Sequence, residues 1–214
     1  MTFISRRDVL KGIAVAGIAA RAGGPANAGP YTAEAAEPLE TLTATEGDIL
    51  DAVVARLIPS DALGPGAKEA GATRYIDRAL AGALSSSRQT YTAGLAALDR
   101  YARSSRGKAF AELSPADQDS VLIDVETGTA TGFTGSSAAF FGTVLNHTHQ
   151  GTFGDPYYGG NQNFTGWDLI RYPGVRTMVT PSDQKALESH QLKPNHKSAY
   201  DYESFTKADP HHGD

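Results

Sequence analysis

Five successive runs of apolar residues at helical spacing constrain the fold of this chain more than any other feature. Thr43 stands before the first run, and Glu46 follows it by three residues, which is the spacing of a capping box at a helix N-terminus. Pro59 ends this run, whose apolar residues are Ile49, Leu50, Val53, Val54, Leu57 and Ile58. We therefore predict a first helix between Thr43 and Pro59.

Four further helices are predicted from the same spacing and from the residues at their ends. The second covers residues 71–84, and the third follows the N-cap serines at 85–87 and ends near 104–108. The fourth covers 114–128, where a capping Ser precedes a first-turn Pro, and the fifth covers 137–151. Because no strand pair and no internal repeat is visible, we predict an all-α fold, a compact bundle of about five short helices.

The helical period is lost after residue 151. Residues 151–180 are rich in Gly, Tyr, Phe and Trp and show no sustained period. Loops of this length are usually functional or disordered, and the aromatic content favours an ordered one. We predict a long irregular segment that covers the helices, followed by a short helix opening at Pro181.

The N-terminus has the composition of an export signal. Arg6 and Arg7 precede an apolar run at 12–20, which as a helix would span about 14 Å of a ~30 Å hydrocarbon core. Ala26-Asn27-Ala28 supplies a small-residue cleavage site, so we predict a signal at 1–28 cut after Ala28. The pair within S-R-R-x-V-L-K resembles a twin-arginine signal, with an ordinary secretory signal as the alternative.

The remaining boundaries follow from composition. We interpret residues 29–42 as a linker, 43–192 as the helical domain with its aromatic loop at 151–180, and 193–214 as a polar C-terminal tail. Removing Arg6, Arg7, Lys11, Arg21 and Asp8 from 19 basic and 24 acidic residues leaves 15 basic and 23 acidic, a formal charge of −8. This charge argues against nucleic acid and against an anionic lipid surface as partners.

Several classes of site are excluded or unsupported by the sequence. The chain has no cysteine, which excludes disulfides, thiolate metal sites, iron–sulfur clusters, a cysteine nucleophile and covalent c-type haem. It has no G-x-S-x-G elbow, no G-x-G-x-x-G after a strand and no Walker loop. We therefore assign no catalytic, cofactor-binding or metal-binding residue to this chain.

His147 and His149 form an H-x-H pair that could be taken for metal ligands. Residues two apart on a helix point about 200° apart, so the rings converge only if the helix has already ended. We favour solvent-facing or hydrogen-bonded core histidines, and the spacing from Leu145 predicts that His149 borders the apolar face.

The loop G-T-F-G-D-P-Y-Y-G-G-N that begins at Gly151 leaves three interpretations open. It caps the helical core, it forms a partner surface, or it builds a substrate pocket. The first two are compatible, with Trp167 packed inward while tyrosines face a partner. The candidate interface residues are Phe153, Asp155, Pro156, Tyr157, Tyr158, Asn161, Trp167 and Tyr172.

The loop and its surroundings resemble a known family, the gluconate 2-dehydrogenase subunit 3 family. The resemblance covers most of residues 43–175. The resemblance rests on five features: the leader at 5–11, the first helix ending in Leu57-Ile58-Pro59, the G-x-F-x-D-P-x-Y-G-G-N motif, Gly166-Trp167 and Tyr172-Pro173-Gly174. The family comprises small subunits of membrane-associated flavin dehydrogenases.

The resemblance implies partners and cofactors that the residues alone do not. A large flavoprotein of the GMC type is expected to hold FAD and oxidise a sugar, sugar acid or polyol. A membrane-associated cytochrome c subunit is expected to hold haem c, and no cofactor is expected in this chain. The family has no agreed catalytic residues, so the resemblance assigns none here.

The sequence therefore favours a non-catalytic small subunit of a periplasmic flavin-dependent dehydrogenase complex. Such a subunit would escort the FAD subunit through twin-arginine export, stabilise it, and reach the cytoplasmic membrane only through the complex. The alternative is an independent periplasmic sugar-binding protein or enzyme that uses the aromatic loop as a platform.

Overall fold

The computed structural model describes residues 38–205, which fold as helices joined by loops. Within this range there are seven α-helices and no strand or sheet, so the predicted all-α class is confirmed. The helices are α1 Ala44–Leu57, α2 Ala72–Ala81, α3 Arg88–Arg106, α4 Pro115–Glu126, α5 Ser137–Phe153, α6 Thr165–Leu169 and α7 Pro181–Glu188. None of the described helices is long and apolar enough to span a bilayer.

The predicted helix starts are set by local capping. At α1, Thr43 Oγ1 accepts from the Glu46 amide, and the Glu46 carboxylate accepts from the Thr43 amide at 2.9 Å, so the capping box is confirmed. At α4, Ser114 Oγ accepts from the Asp117 amide and Pro115 occupies the first helical position. Both caps satisfy backbone N–H groups that a helix start leaves without partners.

Helix α5 lies at the centre of the bundle and packs against α1, α2, α3 and α4. Small residues allow two of these approaches. A Cβ on Gly151 would lie 2.9 Å from Ala72 Cα in α2, and a Cβ on Gly94 in α3 would overlap the Phe140 ring. The core between these helices is apolar and includes Leu50, Val54, Ile76, Leu95, Leu98, Phe110, Val121 and Val144.

The segment just before α1 is fixed to α2. The buried carboxylate of Asp77 accepts from the backbone amides of Glu40 at 2.7 Å, Thr41 at 2.9 Å and Leu42 at 2.7 Å. Leu42 itself joins the core. The C-terminal end of the predicted linker at 29–42 is thus packed on the domain. Residues 29–37 and the predicted export signal, with Arg6 and Arg7, lie outside the described residues.

The prediction of one long irregular segment over the core is not confirmed, because short helical segments interrupt it. Helix α5 continues to Phe153, and it is followed by 3₁₀ turns at Pro156–Tyr158 and Gln162–Phe164 and by α6. The helix predicted at Pro181 is present as α7, with Thr180 as its N-cap. Further 3₁₀ turns cover Ser85–Ser87, Phe110–Glu112, Ala199–Asp201 and Glu203–Phe205.

Candidate functional site

The glycines of the loop after α5 approach the backbone of this same chain. A Cβ on Gly160 would overlap the Gly151 carbonyl, and a Cβ on Gly166 would overlap the Thr152 carbonyl. The Asn161 amide donates to the Gly151 carbonyl at 2.7 Å between these two contacts. These glycines therefore let the loop dock on the last turn of α5, where any larger residue would be excluded.

Asn161 is the polar centre of the docked loop. It is fully buried and has a left-handed φ of 44°, a conformation that Asn tolerates better than most residues. Its Nδ2 donates to the Gly154 carbonyl at 2.9 Å, and its Oδ1 accepts from the Gly166 amide at 2.8 Å. Asn161 was predicted as an interface residue, but its burial makes it a support of the loop.

Trp167 is also part of the interior. Its ring is 5% exposed, its Nε1 donates to the Phe153 carbonyl at 2.9 Å, and it packs edge-on against Tyr172 with centroids 4.7 Å apart. The inward packing considered from sequence is thus observed, and the interface assignment of Trp167 disagrees with its burial. Phe153 and Pro156 are half-buried, and Tyr172 remains 38% exposed.

Two exposed tyrosines of the loop, Tyr157 and Tyr158, form a cluster with Tyr200, here called the tyrosine patch. Tyr157 is 54% exposed and Tyr158 is 51% exposed. Tyr157 stacks on Tyr200 with centroids 3.8 Å apart, and the hydroxyls of Tyr158 and Tyr200 lie 2.7 Å apart. This hydrogen bond, with smaller effects of desolvation and nearby Asp155, raises the pKa of Tyr200 to about 12.

Asp155 holds the tyrosine patch together. Its carboxylate accepts from the Tyr157 amide at 2.9 Å, from Ser198 Oγ at 2.6 Å and from the Ala199 amide at 2.9 Å. These bonds bring Tyr200 beside Tyr157 although 43 residues separate them in sequence. Sequence reasoning missed Tyr200, because no local pattern links residues 198–200 to the loop.

The two histidines of the H-x-H pair lie on opposite sides of α5, which continues through both. His147 is buried, its Nδ1 lies 3.0 Å from the Tyr91 hydroxyl, and burial lowers its pKa. His149 is exposed, so the prediction that it borders the apolar face was wrong, and His147 takes that place. Among residues 38–205 no group of three His, Asp or Glu side chains could hold a metal ion.

A cleft of about 460 Å³ lies beside α1 and the C-terminal half of α3. Two of the carboxylates that line it are paired, Asp51 with Lys68 at 3.4 Å and Asp99 with Arg103 at 2.9 Å. Asp99 also accepts from the Phe110 amide. Because these carboxylates have structural partners, their positions do not require a catalytic role.

A sequence model of the family described as gluconate 2-dehydrogenase subunit 3 matches residues 44–174. Comparison with curated proteins and with solved structures gave no match. The matched range begins with α1 and ends at Gly174, so it includes the helical core, the docked loop, Tyr157 and Tyr158, whereas Tyr200 lies beyond it. Because more than half of the 214 residues match, the chain belongs to the gluconate 2-dehydrogenase subunit 3 family.

Proposed function

We propose that this chain is a non-catalytic small subunit that binds a GMC-type FAD dehydrogenase subunit through the tyrosine patch. It escorts that flavoprotein through twin-arginine export to the periplasm and stabilises it there. FAD resides in the flavoprotein, and haem c resides in a membrane-associated cytochrome c subunit. The complex oxidises gluconate or a related sugar, sugar acid or polyol.

The observation that carries this proposal is the exposure of Tyr157 and Tyr158 on a loop that is held in place by the buried side chains of Asn161 and Trp167. Asn161, Gly160 and Gly166 fix the loop backbone on α5, and Asp155 fixes the tyrosines. Aromatic side chains held in this way bury large areas at low entropic cost, which is typical of interface hot spots.

The size of the required interface makes the tyrosine patch an anchor within a larger surface. A flavoprotein that folds around FAD before export must stay bound to its escort during translocation. Contacts of that permanence usually bury more than about 2,000 Å², which exceeds the area of three tyrosines. Candidates for the periphery of that surface are half-buried Phe153 and Pro156 and exposed Tyr172.

The alternative of a sugar platform is less well supported by the same geometry. Sugars stack on open aromatic faces and bind to free polar groups beside them. One face of Tyr157 is covered by Tyr200 at 3.8 Å, and the Asp155 carboxylate already accepts three hydrogen bonds. Calorimetry of the isolated chain against sugars and sugar acids tests this alternative, and we expect no heat of binding.

The proposed function predicts an adjacent reading frame for a GMC-type flavoprotein, and the decisive experiment is co-expression of this chain with that flavoprotein. We expect a stable complex whose dissociation constant rises at least 30-fold, about 2 kcal/mol, when Tyr157 and Tyr158 are both changed to Ala. The matched control is Ile123→Ala on α4, a residue 57% exposed outside the tyrosine patch, which should leave binding unchanged. Equal affinity for the double variant and the control contradicts the proposal.

The export role has its own test. Changing Arg6 and Arg7 to Lys keeps the charge and removes the paired guanidinium groups. We expect both this chain and the flavoprotein to remain in the cytoplasm of cells that express the variant. If the flavoprotein is exported unchanged, the escort role is wrong, although binding through the tyrosine patch would still stand.

A further inference from the structure

Residues 171–197 form a basic region in an otherwise acidic protein, and we call this region the basic lobe. It contains five basic and two acidic residues, whereas the remaining described residues, 38–170 and 198–205, contain nine basic and 17 acidic. Residues 171–174 of the basic lobe lie within the range matched by the family, and residues 175–197 lie beyond it.

The basic lobe is linked internally by hydrogen bonds to backbone carbonyls. Arg176 donates to the Lys193 carbonyl at 2.9 Å and lies 3.7 Å from the Asp183 carboxylate in α7. Asn195 Nδ2 donates to the Val175 carbonyl at 2.7 Å, and the Val175 amide donates to the Lys197 carbonyl. The loop before α7, the helix itself and residues 193–197 therefore form one unit.

Apolar side chains project from this unit into solvent. Met178 is 77% exposed and Val179 is 65% exposed, and both lie in the loop that leads into α7. Leu187 of α7 is 56% exposed. Lys185, Lys193 and Lys197 are exposed on the same unit. Exposed apolar side chains on a unit that also exposes lysines are typical of proteins that bind the surface of an anionic membrane.

We propose that the basic lobe binds directly to an anionic phospholipid bilayer, with Met178 and Val179 inserted among the acyl chains and the lysines at the phosphate groups. This contact is additional to the proposed attachment through the complex, and it uses a surface other than the tyrosine patch. The overall acidic charge argued against such a surface, but the charge is divided unevenly between the two parts of the chain.

A bilayer fits the basic lobe better than a protein partner does. Two apolar side chains at a loop bury far less than the ~1,000 Å² that a specific protein interface needs. A membrane surface does not need that area, because each Lys or Arg near anionic lipid contributes about 1 kcal/mol, or roughly fivefold in affinity. Insertion of a few apolar groups then adds to that attraction.

The absence of cysteine from the whole chain allows a site-specific test. An environment-sensitive dye is attached to the cysteine of a Met178→Cys variant of the full chain. The control variant, Leu63→Cys, carries the dye at a position that is 85% exposed in the parent chain and lies outside the basic lobe. Vesicles of phosphatidylglycerol and phosphatidylcholine should raise the fluorescence at 178 and leave that at 63 unchanged. Pure phosphatidylcholine vesicles should affect neither position.

A second set of variants tests the lysines. Changing Lys185, Lys193 and Lys197 to Gln should weaken the response at 178 by about fivefold for each charge removed. Changing Lys68 and Lys108 to Gln is the control and should have no such effect. Because the dye reports its own position, a leader that binds vesicles by itself cannot produce the expected pattern.

The proposal is overturned if the dye at 178 does not respond to anionic vesicles, or if the dye at 63 responds equally. It is also overturned if the triple Lys variant keeps its vesicle response but no longer binds the flavoprotein, which would make the basic lobe a protein interface. The result is independent of the tyrosine patch, so failure here leaves the proposed function standing.

Discussion

The helical core at 44–153 and the loop region at 154–205 are held together by different kinds of contact. The core is stabilised by burial of apolar side chains such as Leu50, Leu95 and Val121. The loop region depends on polar side chains that bind distant backbone groups, chiefly Asn161, Asp155 and Asn195. Apolar burial is tolerant of shape, whereas these polar contacts require particular atoms at particular places.

Backbone conformation shows the same division. Six non-glycine residues among those described have a left-handed φ, and all of them lie after residue 160. Such conformations cost about 1–2 kcal/mol for most residues, so the loop region keeps them only because its contacts compensate. The loop region should therefore be more sensitive to single substitutions than its modest apolar burial suggests.

The largest effect is expected from Gly166→Ala. The new Cβ would overlap the Thr152 carbonyl, so the loop must move away from α5, and we expect a loss of at least about 3 kcal/mol in the free energy of unfolding. Gly142→Ala in α5 is the control, because its Cβ meets nothing within 4 Å and Ala favours the helix by about 1 kcal/mol. Urea unfolding measures both, and equal stability of the two variants would contradict close docking.

A somewhat smaller loss is expected from Asn161→Ala. The substitution leaves the Gly154 carbonyl and the Gly166 amide without their partners inside the protein, and we expect a cost of about 2–4 kcal/mol. Asn146→Ala on the exposed side of α5 should stay within about 0.5 kcal/mol of the parent chain. If both changes cost the same, Asn161 is not the support that its contacts indicate.

The division also explains what the sequence could predict. The start of α1 and the start of α4 follow from signals within four residues, Thr43 with Glu46 and Ser114 with Pro115, and both were predicted correctly. The turns at Gln162–Phe164 and the pairing of Asp155 with Ser198 depend on contacts between distant segments. A period or a propensity cannot show such contacts, so the loop was predicted as irregular and Tyr200 was missed.

The sequence could not separate the candidate interface residues from supporting residues for a related reason. Tyr, Trp and Asn in a glycine-rich loop serve equally as anchors for a partner or as supports within the chain. Burial separates the two roles, since Asn161 and Trp167 are interior and Tyr157 and Tyr158 are exposed. Burial of a loop residue is set by where the loop docks, and that depends on Gly160 and Gly166 meeting the end of α5.

A moderate effect is expected from Asp155→Asn, which tests how the loop is joined to residues 198–200. The amide group cannot accept from both Ser198 Oγ and the Ala199 N–H as the carboxylate does, and we expect a local loss of about 1–2 kcal/mol. Hydrogen exchange of the Ala199 and Tyr200 amides should become faster by about tenfold. Asp168→Asn is the control, because the Asp168–His196 pair is about half exposed and such pairs contribute little.

The smallest effect is a change in pH dependence, and it tests the core. Burial lowers the pKa of His147 below its ordinary value of 6.5, so the unfolded chain binds this proton more readily than the folded chain. Stability from this residue is therefore complete above about pH 6.5 and is lost as pH falls from there through the lower folded pKa. At this residue the unfolded and folded chains differ by at most one bound proton. The free energy of unfolding therefore changes by at most about 1.4 kcal/mol per pH unit because of His147.

The variant that isolates this slope is His147→Gln, with His149→Gln on the exposed side of the same helix as its control. Urea unfolding between pH 7 and pH 5 should show a smaller decline for His147→Gln than for His149→Gln. A Gln at 147 loses the contact with the Tyr91 hydroxyl, so the slope is the measure and the absolute stability is not. Equal slopes would mean that the folded core accepts a charge at His147 as readily as water does. The core would then tolerate a polar group as the loop region does, and the contrast between the two regions would no longer hold.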